Sequence, residues 1–103
     1  MDKAYNYQGL NGEAHRFALA DMSNPRALPQ RGGVVAIVRS PEEPIYFADT
    51  PSIRGLLSEA GMWQIAQREF GATAVYLLPS GNDEWCKVVA DSLRARYTPV
   101  MNR

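Results

Sequence analysis

Few side chains in this sequence of 103 residues are suited to acid–base, nucleophilic or metal chemistry. There is one histidine, His15, and one cysteine, Cys86, so the histidine and cysteine clusters that hold zinc cannot form. His15 alternates with Arg16 on a predicted strand, and no nucleophile motif surrounds it, which favours a structural or solvated role. Cys86 follows Trp85 on a predicted helix, where a small, partly buried hydrophobic side chain is expected. We therefore expect no metal site.

Binding of a nucleotide or another cofactor is not predicted either. Gly9 and Gly12 do not lie between a strand and a helix, as the glycines of phosphate-binding loops do. Trp63 and Trp85 lie in helical patterns, so we expect both to pack in a core rather than to stack on bases. The sequence therefore predicts no cofactor.

Composition and charge are those of an ordinary globular protein. Hydrophobic residues make up 46% and charged residues 21%, which is too apolar for disorder, and the length predicts one domain over residues 1–103. Eleven basic and eleven acidic residues cancel, whereas a protein that binds DNA through its phosphates usually has a basic excess. No apolar signal segment is found near the start, and no run reaches the ~20 apolar residues of a membrane span. We expect a cytoplasmic protein without membrane contact.

The first third of the chain predicts a hairpin followed by a loop. Asn11-Gly12, the dipeptide that most readily forms a type I′ turn, separates two aromatic-flanked stretches. Residues 20–33 contain prolines and paired glycines, which break regular structure, so a connecting loop is predicted there. This divides the domain into a hairpin and loop at residues 1–31 and a core at residues 32–103.

The core pattern predicts two paired strands, two helices, a third strand and a last helix. The predicted strands are residues 34–38, 45–48 and 74–78, and the first two predicted helices are residues 53–60 and 62–70. Thr50 is the expected N-cap of the first helix. Ser80 and Asp83 have the spacing of a capping pair before the last helix, which ends at Tyr97. The fold class is thus α/β (α+β), with a small mixed or antiparallel three-stranded sheet flanked by helices.

Three short motifs follow one another along the predicted core. They are Gly33-Val34-Val35, Tyr46-Phe47-Ala48-Asp49-Thr50 and Tyr97-Thr98-Pro99-Val100-Met101-Asn102. Together with the order strand, strand, helix, helix, strand, helix, these motifs resemble the GIY-YIG nuclease domain over residues 32–103. The N-terminal hairpin resembles a leader that some small bacterial members of that family carry.

The resemblance implies a catalytic arrangement whose side chains are mostly missing here. Nucleases of this family use a tyrosine near the attacking water, an arginine opposite the transition-state charge and a glutamate on one divalent cation. The positions that match the first tyrosine, the arginine and the glutamate are Val35, Leu56 and Ala90. The tyrosine of the second motif, Tyr46, and the asparagine of the third, Asn102, are retained. Because the loss of each electrostatic group typically costs ~100-fold or more in rate, the resemblance implies a catalytically inactive domain.

Neighbouring polar residues do not replace the missing groups. Arg54 lies two positions before the arginine position, and Asp91 lies one position after the glutamate position. Each residue of a helix turns by ~100°, so both side chains point in other directions. Asp91 is instead expected to pair with Lys87 and Arg94 on its own helix face.

Two binding functions remain once catalysis is set aside. The first is a protein-interaction module with an unidentified protein partner, whose former cleft has become apolar at Val35, Leu56 and Ala90. The alternative is a pseudonuclease that binds nucleic acid weakly, which the absence of net charge opposes. The residues that would contact phosphates are Lys87, Arg94, Arg96 and Arg103. An active, divalent-metal-dependent DNA endonuclease is the least favoured reading of the resemblance.

Overall fold

The strand-forming segments of the sequence become five strands, and two α-helices pack on the sheet that they form. The computed structural model describes residues 4–102 of the chain. Its strands are β1 (Ala4–Gln8), β2 (Ala14–Leu19), β3 (Gly33–Arg39), β4 (Glu43–Thr50) and β5 (Ala74–Pro79). Its α-helices are α1 (Met62–Phe70) and α2 (Asp83–Tyr97). Short 3₁₀ turns lie at Pro25–Ala27 and Val100–Asn102.

The sheet has five strands rather than the three expected, because the N-terminal hairpin is part of it. The strand order is β1-β2-β5-β3-β4, and every neighbouring pair is antiparallel. The predicted hairpin of β1 and β2 is confirmed. It joins the sheet through the pairs Ala18 with Leu77 and Leu19 with Tyr76, and the Ala20 N–H donates to the Val75 carbonyl at 2.9 Å. The predicted pairing of β3 with β4 is confirmed as well.

Strand β3 is buried on both faces, so its side chains divide between two cores. Val34, Ala36 and Val38 face α2, whereas Val35 and Ile37 face the opposite side. The α2-side core consists of Tyr7, Phe17, Val34, Ala36, Val38, Phe47, Tyr76, Cys86, Val89, Ala90 and Leu93. The α1-side core consists of Leu28, Val35, Ile37, Ile45, Ile53, Leu57, Ala66, Ala72, Val75 and Leu77.

The sheet curls strongly around the α2-side core. In a flat sheet the outermost strands β1 and β4 would lie about 19 Å apart, at four spacings of ~4.8 Å. The ring centroids of Tyr7 on β1 and Phe47 on β4 are nevertheless only 5.3 Å apart, in an edge-to-face arrangement. Tyr97, from the end of α2, contacts both rings. Aromatic contacts therefore join the two ends of the sheet.

The helix boundaries differ from the sequence prediction in their capping residues. The helical segment at residues 53–59 contains a π-helical turn over Gly55–Glu59, and the Ala60 N–H donates to the Gly55 carbonyl at 2.8 Å. The side chain of Ser52, not Thr50, accepts a hydrogen bond from this segment, namely from the Gly55 N–H. The N-cap of α2 is Asn82, not Ser80, and its Oδ1 accepts from the Trp85 N–H at 3.0 Å.

The helices of residues 4–102 are not membrane spans. None of them is both long enough and apolar enough to cross a bilayer.

Because the hairpin is part of the fold, the loss of a buried side chain from β2 should lower the free energy of unfolding strongly. Phe17 is fully buried, and its ring centroid lies 5.4 Å from that of Tyr7. Phe17→Ala should lower the free energy of unfolding by about 3–5 kcal/mol, measured by denaturant titration. Leu19→Ala on the same strand is the control, because Leu19 is 41% exposed and its loss should cost less than ~1 kcal/mol. Equal, small losses for both variants would show that the hairpin is not part of the core.

Candidate functional site

The positions to which the resemblance would assign catalytic roles do not converge on one cleft. Val35 is fully buried in the α1-side core, and Leu56 packs against that same core. Ala90 is fully buried in the α2-side core, on the other face of the sheet. The expected apolar cleft lined by Val35, Leu56 and Ala90 is therefore wrong, because the two buried positions belong to different cores that β3 separates.

Tyr46, the tyrosine of the second motif, has a raised pKa. The side chain is half-buried against the α1-side core. Burial raises the pKa of Tyr46 above its ordinary value of 10.0; the charge of Asp49 adds to the rise, and that of Arg94 opposes it. A phenol whose pKa is raised stays neutral near pH 7. Tyr46 is therefore suited to donating a hydrogen bond and not to acting as a base.

Asn102, the asparagine of the third motif, binds the backbone of the edge strand β4. Its Oδ1 accepts from the Phe47 N–H at 2.9 Å, and its Nδ2 donates to the Phe47 carbonyl at 3.1 Å. Arg94 donates from Nη1 to the same carbonyl, also at 3.1 Å. Asn102 thus satisfies both backbone groups of one residue, as a neighbouring strand would.

The basic residues of the last helix are largely occupied by acidic partners. Lys87 Nζ lies 3.1 Å from Asp91 Oδ2, Arg94 hydrogen-bonds the other oxygen of Asp91, and Arg94 Nη2 lies 3.9 Å from Asp49 Oδ1. Hydrogen bonds from Arg94 and then from Lys87 lower the pKa of Asp91. The predicted pairing of Asp91 on its helix face is confirmed.

The remaining two residues of the predicted basic cluster differ in their position. The guanidinium carbon of Arg96 lies 6.0 Å from the centre of the Tyr97 ring, and the side chain is exposed. Arg103 lies outside the described residues. Within the described part of the chain, Arg96 is thus the one member of this cluster for which no acidic partner is seen.

A cleft of about 230 Å³ lies between the end of β4 and the first turns of α2. It is lined by Asp49, Thr50, Pro51, Asp83 and Cys86. Cys86 is 2% exposed and belongs to the α2-side core, where it packs as a small hydrophobic residue. Across residues 4–102, no group of three histidine, cysteine, aspartate or glutamate side chains is placed to hold a metal ion.

His15 is packed against an aromatic side chain at the edge of the α2-side core. Its ring meets that of Trp85 edge to face at a centroid distance of 5.9 Å. Its Nε2 lies 3.9 Å from Glu13 Oε1, which is too long for a hydrogen bond. The contacts of His15 are thus an aromatic ring and a carboxylate, and neither carries a hydroxyl or thiol that an imidazole could activate as a nucleophile.

An exposed apolar surface on α2 was not expected from the sequence. Trp85, which the sequence predicts to pack in the core, is instead 39% exposed, and Val88 on the same helix is 65% exposed. Leu10 of the β1–β2 turn is also exposed, and its N–H donates to Ser92 Oγ, one helical turn beyond Val88, at 2.8 Å. We call the surface formed by Leu10, Trp85 and Val88 the α2 ridge.

The sequence does contain a signal for the α2 ridge. The buried stripe of α2 is Cys86, Val89, Ala90 and Leu93, which already satisfies the spacing of one helical face. At ~100° per residue, Val88 points ~150° away from the centre of that stripe, and Trp85 lies at its margin, ~90° from the centre. The apolar residues of α2 thus form a buried stripe and a separate exposed one.

Comparison of the chain with known protein families, with curated proteins and with solved structures finds no match in any of the three.

The burial of Ala90 predicts that a glutamate is poorly tolerated at this position. Ala90→Glu should lower the free energy of unfolding by about 4 kcal/mol or more, because it places a carboxylate in the α2-side core. Leu56→Arg should cost only about 1–2 kcal/mol, since Leu56 is half-buried and a long side chain can extend to water. Ala95→Glu, at an exposed alanine of the same helix, is the matched control and should change stability by less than ~0.5 kcal/mol. Equal tolerance of Ala90→Glu and Ala95→Glu in denaturant titrations would show that Ala90 borders an open cleft.

Proposed function

We propose that this chain is a degenerate GIY-YIG-like domain that has lost catalysis and serves as a protein-interaction module. The order of its elements supports the resemblance, because β3 and β4 are followed by a helical segment, α1, β5 and α2. The contact of Asn102 with β4 adds a structural reason for retaining an asparagine at this position.

The full burial of Ala90 is the main observation that supports the proposed loss of catalysis. A metal ligand must reach a solvent-accessible ion, and the residue at the glutamate position instead packs in the α2-side core. The arginine position, Leu56, packs on the other face of the sheet. These two positions therefore offer neither a metal ligand nor an arginine to stabilise the negative charge of a phosphoryl-transfer transition state.

The neighbouring charged residues are occupied by structural contacts. Arg54 donates from Nε to the Leu28 carbonyl at 3.0 Å and from Nη2 to the Arg26 carbonyl at 2.6 Å. Its guanidinium thereby holds the loop before β3 and is not directed at a substrate. Asp91 is held by Lys87 and Arg94 on the outside of α2. Neither residue supplies the missing chemistry.

The α2 ridge favours a protein over a nucleic acid as the partner. Large exposed apolar side chains that lie side by side on a small domain commonly mark a surface that another protein covers. Tryptophan contributes strongly to such interfaces because of its large contact area. By contrast, Lys87 and Arg94 are compensated by Asp91, so the basic cluster offers few free charges to phosphates.

Absence of nuclease activity is the first expected outcome. Purified protein should leave plasmid, linear and branched DNA uncut in the presence of Mg²⁺ or Mn²⁺, because no group at Leu56 or Ala90 stabilises charge or holds the ion. Gel assays at several protein concentrations measure this. Metal-dependent cleavage that disappears in the Tyr46→Phe variant would contradict the proposal, since it would place Tyr46 in a working active site.

We also expect binding of the partner to depend on the α2 ridge. Immobilised protein should retain from cell extract a protein that Val88→Glu no longer retains, because the substitution places a charge at the centre of the ridge. Gln67→Glu introduces the same charge at an exposed position of α1 and should retain the partner like the unaltered protein. Quantitative mass spectrometry of the three samples gives the comparison.

Two results would argue against the ridge as the binding surface. In one, no retained protein distinguishes Val88→Glu from Gln67→Glu. In the other, the chain binds duplex DNA with submicromolar affinity at ~150 mM salt and loses this binding in the double variant Arg94→Ala, Arg96→Ala, which would favour a nucleic-acid partner.

A further inference from the structure

The outer edge of β4 is covered by the segment that follows α2. β4 is the last strand in the sheet order, so one side of its backbone has no neighbouring strand. An exposed edge of this kind presents N–H and carbonyl groups to which another chain can pair. At Phe47 these two groups are bound by Asn102, and Arg94 adds a second donor to the Phe47 carbonyl.

This segment crosses from one face of the sheet to the other. Helix α2 lies on the α2-side core and ends at Thr98, which adopts a left-handed conformation with φ of 42°. Pro99 is buried, and Val100 and Met101 then pack against the α1-side core. Residues 98–102, which we call the strap, therefore wrap around the edge of β4 with Asn102 bonded to its backbone.

We propose that the strap guards β4 against strand pairing with a second copy of this chain. When the strap is released, the Phe47 N–H and carbonyl of one copy would bind the same two groups of the other, around a twofold axis. These are the two hydrogen bonds of an antiparallel hydrogen-bonded pair, and Asn102 makes their equivalents in the monomer.

The residues that flank Phe47 fit this symmetric pairing. In a register centred on Phe47, Asp49 of one copy lies opposite Ile45 of the other, so no carboxylate directly faces another. The other edge of the sheet is less available, because the Gln8 N–H of β1 lies 3.4 Å from the Tyr97 hydroxyl in a hydrogen bond across the curl of the sheet. The latent interaction surface is thus the edge of β4, and its partner is an identical strand.

Self-association of the full chain tests the proposal. Asn102→Ala removes both Asn102 bonds to Phe47 and leaves only the Arg94 bond to its carbonyl. The dimerisation of this variant, measured by sedimentation equilibrium, should be at least about tenfold tighter than that of the unaltered protein. Amide hydrogen exchange provides the second measurement. The Phe47 N–H should exchange faster in Asn102→Ala at low concentration and become protected again as dimer forms.

Asn82→Ala is the matched control, because it removes a side-chain hydrogen bond at the other end of α2 without uncovering β4. It should leave both self-association and exchange at Phe47 unchanged. If Asn102→Ala does not fold, Asn102→Asp replaces it, since an aspartate keeps the acceptor for the Phe47 N–H but loses the donor to its carbonyl. Self-association of the Asn102 variant no tighter than that of Asn82→Ala would overturn the proposal, as would a dimer in which the Phe47 amide stays unprotected.

Discussion

The central strand β3 is the constraint on which the rest of this structure depends. Its residues 34–38 are buried on both faces, and β4 and β5 are hydrogen-bonded to its two edges. A strand in this position alternates its side chains between two cores, so each face of the sheet must be covered. Helix α2 covers one face, and α1 with the helical segment before it covers the other.

Separation into two cores also sets the surroundings of the apolar residues in the second half of the chain. Ala90 packs in the α2-side core on one face of the sheet, and Leu56 packs against the α1-side core on the other. Such packing of apolar side chains stabilises the fold. The polar contacts of the region, at Arg94 and Asn102, are directed to the backbone of Phe47 and so connect the last helix to the sheet.

The sequence was sufficient to predict the local elements, but it was not sufficient to predict the contacts between elements that are distant in the chain. The run at residues 34–38 and the Asn11-Gly12 turn have strong local signals, and both elements are present. The ladder pairing of the hairpin with the rest of the sheet consists of two residue pairs between β2 and β5, which are far apart in the chain and leave no periodic pattern. The bonds of Asn102 to β4 likewise span 55 residues and could not be foreseen from the tail alone.

The central claim is that Leu56 and Ala90 pack in separate cores on opposite faces of β3. Methyl nuclear Overhauser effects in the isotopically labelled protein test it most directly, because they report contacts between side chains. The account predicts cross-peaks from the Ala90 methyl group to Val34 or Ala36, and from Leu56 to Val35 or Ile37. A cross-peak between Ala90 and Leu56 would contradict the account, because it would place both positions around a single cleft.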